Sequence, residues 1–249
     1  MKLLKSVALA AIMLVAFPST VQAAYLDPHQ GEIWYKCLAS GRVQVGRFSM
    51  ESWDRSCLAT ADQSSYAIPV LYKDGVAVAP NKIHMYLRNL TGVTPSILPD
   101  GLRMKIGDRK ATARQKHWET RYYWQCDATT AGHHRASPPN CPGAENGTPE
   151  TALTLIIRAP QCFDGTRWEY PGKAACPVGS TTTVQVQYHI QYAIADAADS
   201  KMRWSSGSIY GIWATLRTGW DSVWEQYYID ACIEPGSSCS IKGTEIRLT

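Results

Sequence analysis

The sequence predicts a mainly β domain: a single β-sandwich or distorted barrel, braced by disulfides, with one short C-terminal helix. Three observations carry this. Apolar and polar residues alternate with a period of two in several runs, most clearly "VQVQYHIQYAI", Val184 to Ile194. Short strand-like runs are separated by turn residues, as in "KDG" at Lys73 to Gly75, "APN" at Ala79 to Asn81 and "LPDG" at Leu98 to Gly101. Eight cysteines lie after position 36, an even count that reads as a disulfide framework in an oxidising compartment.

The first element is a leader. Lys2 and Lys5 make a basic start, Val7 to Phe17 is an apolar run, and Val21 to Ala23 forms an A-x-A-like end. Residues 1–23 are therefore expected to be a signal peptide, with cleavage before Ala24. Residues 24–249 are expected to form one exported domain, secreted or periplasmic, with no membrane span after cleavage.

The strand signals then follow in order. They are "EIWYKCL", "RVQVGRF", "IPVLYKD", "KIHMYLR", "LRMKIG", "TRYYWQC", "LTLIIRA", "VQVQYHIQYAI" and "IYGIWATLR". "YKDGVAVAP" reads as a hairpin with Asp74-Gly75 at its tip. In the Val184–Ile194 strand, one face is apolar and the other holds Gln185, Gln187, His189, Gln191 and Ala193. A half-buried strand is expected, its glutamine face solvated or lining a groove. "WDSVWEQYYIDAC", Trp220 to Cys232, is the helix, with Asp221 as N-cap. Its stripe of Val223, Trp224, Tyr227, Tyr228 and Cys232 is expected to pack on the sheet. Cys126 to Glu150 reads as an irregular surface loop.

Proximity suggests four local bridges: Cys37–Cys57, Cys126–Cys141, Cys162–Cys176 and Cys232–Cys239. Short loops close at lower entropic cost. Removing Lys2 and Lys5 lowers the formal charge from +4 to +2, which gives no electrostatic reason to expect nucleic acid as a partner.

Few motifs carry chemistry. His133-His134 lies between two cysteines but lacks ligand spacing, so no metal and no cofactor is expected. Nucleotide-binding glycine loops and a G-x-S-x-G elbow are absent from the sequence. Asp108, Asp164, Glu169 and Asp221 are acids in loop positions where a glycosidase pair would sit. Three of them also have a structural role on offer: a turn bond for Asp164, a helix cap for Asp221, a surface ion pair for Asp108. Asn89-Leu90-Thr91 and Asn146-Gly147-Thr148 match the glycosylation sequon.

The segments "SSYAIPVLYKDGVAVAPNKIHMYLR", "GLRMKIGDRKAT", "PQCFDGTRWEYP" and "IYGIWATLRTGWDSVWEQYYIDAC" occur in this order. As a set they resemble an exported domain-of-unknown-function family, DUF1996, over about Ser52 to Cys232. The resemblance implies histidine-bearing elements that this sequence lacks. Near the start there is only His29. After Cys162-Phe163-Asp164-Gly165 comes "TRWEYPGKAAC", with Lys173 about where a histidine aligns. Trp213 and Thr215 take the places of the family's histidine and aspartate. The resemblance thus implies a scaffold kept without its acid–base side chains. Trp168, Trp213 and Trp220, with Asp164 and Glu169, would then make an aromatic, acidic groove suited to sugar.

The expectation is an exported, non-catalytic protein that binds a carbohydrate or cell-envelope component. The first alternative is a glycoside hydrolase-like enzyme using Asp164, Glu169 or Asp221. The second is a structural or protein-interaction module. Ligand identity and oligomeric state are left open by the residues.

Overall fold

A computed structural model describes residues 32–36, 64–116, 121–126, 134–146, 152–170, 175–197, 201–233, 239–242 and 245–248. The expected leader, "RVQVGRF", His29, His133 and Lys173 lie outside the described residues.

In chain order the first seven strands are β1 (Glu32–Lys36), β2 (Ser65–Pro69), β3 (Leu71–Lys73), β4 (Val76–Val78), β5 (Lys82–Arg88), β6 (Arg103–Gly107) and β7 (Tyr122–Gln125). There follow β8 (Leu153–Arg158), β9 (Cys162–Phe163), β10 (Trp168–Glu169), β11 (Thr181–Thr182), β12 (Gln185–Tyr192), β13 (Met202–Trp204) and β14 (Trp213–Arg217). A short helix α1 (Ser222–Tyr228) runs into a π turn, Ile229–Ile233, before β15 (Cys239–Lys242) and β16 (Glu245–Leu248). The protein is mainly β with one short helix near its C-terminus, as expected, and its sheets do not close into a barrel.

Two four-stranded antiparallel sheets carry the core. One has the order β1-β2-β14-β6 and the other β5-β12-β8-β7. Their inner faces meet through apolar residues at alternate positions. Tyr66, Met104, Ile106, Ala214 and Leu216 come from the first sheet; Leu155, Ile157, Val186, Tyr188 and Ile190 come from the second. Tyr66 and Tyr188 join the two edge-to-face, with ring centroids 5.7 Å apart. This two-layer arrangement is what period-two patterning dictates when each sheet has one apolar face. Each large apolar side chain among these contributes about 1.5–3 kcal/mol by leaving water.

Local chemistry sets the corners. Asp74 and Gly75 have φ of 50° and 83°, and they join β3 to β4. Positive φ at both central positions is the two-residue hairpin turn that Asp-Gly favours, as the sequence predicts. After Val70 the chain leaves the first sheet and enters a small one, β13-β3-β4. The tryptophans Trp124 and Trp204 stack there at 5.8 Å and extend the core.

Two of the four expected disulfides are present. Cys162–Cys176 pins a second small sheet, β10-β9-β11. Cys126–Cys141 folds the segment after β7 back on itself. Cys37 and Cys57 both lie outside the described residues, so the expected Cys37–Cys57 bridge is not among the disulfides the structure describes. The side chains of Cys232 and Cys239 fall outside them as well, and with them the expected Cys232–Cys239 bridge.

Three sequence expectations need correction. The glutamine face of β12 is not solvated, because all eight residues of the strand are buried. β12 lies inside its sheet, between β5 and β8, and both of its faces are enclosed. The expected stripe on the helix fails at two of its five positions, and the side chains of Trp224, Tyr228 and Cys232 lie outside the described residues. Val223 and Tyr227 are 76% and 54% exposed, while Glu225 and Ile229 are buried. The Glu225 carboxylate accepts the Leu98 backbone N–H at 2.9 Å, which turns that side of α1 inward. The segment Cys126 to Glu150 also departs from a plain loop: Arg135 bridges Trp124 as an added edge, and Ala144–Asn146 forms a 3₁₀ turn.

Candidate functional site

The acids singled out by sequence are mostly held by their own turns. Asp164 accepts the backbone N–H groups of Thr166 and Arg167 at 2.7 and 2.6 Å. The Arg167 and then the Thr166 N–H hold its carboxyl below the usual carboxylate range. Asp221 caps α1 by accepting the Val223 N–H at 3.0 Å. Asp108 accepts the Lys110 N–H at 2.8 Å in an exposed turn. Glu169 is exposed on β10, in register with Cys162.

Trp213 and Trp220 are buried, so the expected groove of Trp168, Trp213 and Trp220 does not present three open rings. Trp168 is half-buried and stacks on Phe163 at 4.8 Å, within the β9–β10 hairpin. Trp213 lies on β14 in another sheet, 7% exposed, with the Arg109 guanidinium 5.8 Å from its ring centroid. It pairs there with Gly107 of β6. Trp220 is 6% exposed and belongs to the core. A ring that is more than nine-tenths buried offers no face for a sugar to stack on.

The unusual feature is the polar face of the β5-β12-β8-β7 sheet, which is buried along β12 and opens at Tyr86, Arg88 and the half-buried Arg121 and Arg158. Register places its residues in rows across the four strands. One row carries Tyr86, Gln187 and Arg158, and Arg121 lies just before β7, where the ladder has ended. The next carries His84, His189, Ile156 and Tyr123, and a third carries Lys82, Gln191, Thr154 and Gln125. Gln185 stands beside the first row, opposite Arg88. No residue in these rows is an aspartate or a glutamate.

Along β12 the side chains form a relay. Gln187 donates to Gln185 at 2.7 Å, and His189 Nε2 lies 3.4 Å from the Gln187 amide oxygen. Tyr86, itself 38% exposed, packs its ring on His189 at 4.5 Å. At the β7–β8 edge the pattern becomes cationic and aromatic. The Arg158 guanidinium lies 4.7 Å from the Tyr123 ring centroid and donates to the Tyr123 hydroxyl at 3.3 Å. His134 stacks on the same ring at 3.8 Å. Arg121 lies 5.6 Å from the Tyr170 ring centroid, and the Tyr170 hydroxyl donates to the Arg158 carbonyl at 3.0 Å. Burial, and then the charge of Arg158, push the His134 imidazole below its usual range. Burial raises the Tyr170 phenol, against the opposing pull of Arg121.

This face is under-satisfied. Among the described residues, Gln125 Nε2, Gln185 Nε2, Arg121 Nε and Arg158 Nε are buried nitrogens without a hydrogen-bond partner. All four are donors. A buried donor left unmade costs about 1–3 kcal/mol, so four on one face are a cost that an acceptor would relieve. The alternation of β12 shows the glutamine face in the sequence but does not name its neighbours. A signal for them exists in the arginine that ends "LTLIIR" and the one that begins "RYYWQ", two charges at strand ends.

A shallow cavity of about 310 Å³ lies elsewhere, lined by Asn89, Thr91, Gly92, Val93, Thr94 and Ile233, and has no titratable group in its wall. Among the described residues, no three His, Cys, Asp or Glu gather as a metal would require.

The family model described as Domain of unknown function (DUF1996) matches residues 40–220. The chain belongs to this family. The match takes in both core sheets from β2 to β14 and the whole polar face, and it ends at Trp220, before α1. Among the curated proteins and the solved structures, nothing matches the chain.

Proposed function

We propose that this DUF1996 protein is an exported, non-catalytic binding protein for a carbohydrate or cell-envelope component, held where the polar face of the β5-β12-β8-β7 sheet opens at Tyr86, Arg88, Arg121 and Arg158. The single observation that carries the reading is that face: amide, imidazole and aromatic side chains in rows, with buried donors that lack acceptors. Planar amides and guanidinium groups beside tyrosine rings are the chemistry that recognises polyhydroxylated rings, by hydrogen bonding at the edge and stacking at the face. A hydrolase would need two facing carboxylates. Here Asp164 and Asp221 are engaged in a turn and a cap, and the polar rows contain no acid. Export rests on the leader at residues 1–23, and the two disulfides are compatible with it. Among the described residues, no helix is long and apolar enough to cross a membrane.

The test is a screen of the purified protein against an array of glycans and isolated envelope polymers, repeated with Tyr86→Ala and Trp213→Ala. The reading expects binding that Tyr86→Ala weakens at least tenfold and Trp213→Ala leaves alone, provided each variant keeps its fold by circular dichroism. Binding lost only in a folded Trp213→Ala variant would move the site to the β14 side. Silence across the array would remove the reading.

A further inference from the structure

The binding reading leaves open what the face selects, and the charges decide it. The first row ends at Arg158, and Arg121 lies just before β7, where the ladder with β8 has ended at Tyr122 and Ile157. Like charges brought close together repel, and they are usually separated or answered by an acid. Neither happens here. Each guanidinium rests on a tyrosine ring, Arg158 on Tyr123 and Arg121 on Tyr170. Tyr170 ties the two together through its bond to the Arg158 carbonyl. Both Nε–H groups are buried and without an acceptor. His134 and Arg88 add further basic groups at the rim, and both are exposed. No ion pair to Arg121 or Arg158 is found among the described residues.

Building on that binding reading, we infer that the Arg121–Arg158 pair is an anion clamp, and that the ligand is an acidic carbohydrate whose carboxylate, sulfate or phosphate oxygens sit between the two guanidinium groups. The physical reason is that the four unmet atoms on this face are all donors. A neutral sugar brings hydroxyls, which donate as well as accept. An oxyanion brings acceptors alone and can take the forked N–H groups of an arginine in pairs. The tyrosine rings hold the guanidinium planes in place beforehand, so less rotamer freedom is lost on binding. The rim of Tyr86, Arg88 and His134 is where the remaining sugar ring would rest.

The experiment is calorimetric titration of the full exported chain with four probes. These are tetragalacturonate, its fully methyl-esterified neutral form, a sulfated heparin-derived tetrasaccharide, and inorganic phosphate. The inference expects at least one acidic oligosaccharide to bind tenfold or more tighter than the neutral ester. It also expects Arg158→Gln and Arg121→Gln each to lower that affinity at least tenfold, with the melting temperature of at least one variant unchanged. Equal affinity for acid and ester, untouched by either variant, overturns the clamp and leaves carbohydrate binding standing. Inorganic phosphate binding as tightly as the best oligosaccharide overturns the carbohydrate part and leaves an anion site. No binding by any probe overturns both.

Discussion

Gln125→Met tests the claim that the polar face carries unmet donors for a ligand. Gln125 lies on β7, 3% exposed, in register with Thr154. Its Nε2 is buried without a partner. Methionine has nearly the same length and no donor. The substitution therefore removes a desolvated amide that costs about 1–3 kcal/mol, and it adds apolar burial. Some side-chain freedom is lost in either case, so the net stabilisation should be about 1–2 kcal/mol. For a chain of about 150–250 residues, 1 kcal/mol moves the melting temperature by roughly 2–4 °C, so a rise of ~2–8 °C is expected. Urea unfolding should show the same gain as a higher midpoint with an unchanged slope. Greater stability should come with weaker ligand binding, the usual cost when a binding site is made into core. A loss of about 1 kcal/mol or more would show that the amide is already bonded in the free protein, and the reasoning from unmet donors would fail.

Four more predictions follow from particular contacts. Gly107→Ala should destabilise by about 3 kcal/mol or more, on the scale of severe core substitutions, because φ is 77° and a Cβ would lie against the Ile212 carbonyl oxygen; denaturant unfolding measures it. Trp213→Ala should cost about 3–5 kcal/mol of stability as a large-to-small core change while leaving glycan affinity within twofold, which the array and a melting curve read together. The paired change Cys162→Ser and Cys176→Ser, opening a separation of 14 residues, should lower stability by about 3 kcal/mol, visible as a lower urea midpoint without reductant. His134 should titrate below its usual value near 6.5. Its neutral form is the one the fold favours, so that contribution is complete above the unfolded pKa and fades as pH falls through the folded one. Proton NMR of the imidazole gives the folded pKa, and a value above 6.5 would contradict the placement beside Arg158.

Much of the architecture was legible because alternation, turn chemistry and cysteine proximity are local. Asp74-Gly75 set its hairpin, and the Cys126–Cys141 and Cys162–Cys176 bridges followed from short separations. Burial was less legible, because it depends on which strands become neighbours. The period-two pattern of β12 reads as one wet face, yet the strand lies between β5 and β8 with both faces enclosed. The helix phase was misleading for a related reason. Glu225 is polar by type but is drawn inward by the distant Leu98 N–H, and the chain then widens into a π turn. The candidate site was the least legible part. Asp164 and Asp221 stand out in a sequence because turns and caps favour them, and that same local use occupies their oxygens. Arg121 and Arg158 are 37 positions apart in the sequence, and only the fold links them, through the Tyr170 ring and hydroxyl.

The most direct measurement follows the arginine Nε–H resonances of the ¹⁵N-labelled protein while the tightest acidic oligosaccharide is added. The account expects the Arg158 and Arg121 signals to move downfield and to slow their exchange with water in step with occupancy. Unmoved arginine signals at saturation, with shifts gathered instead around Trp213 or the β9–β10 hairpin, would contradict it.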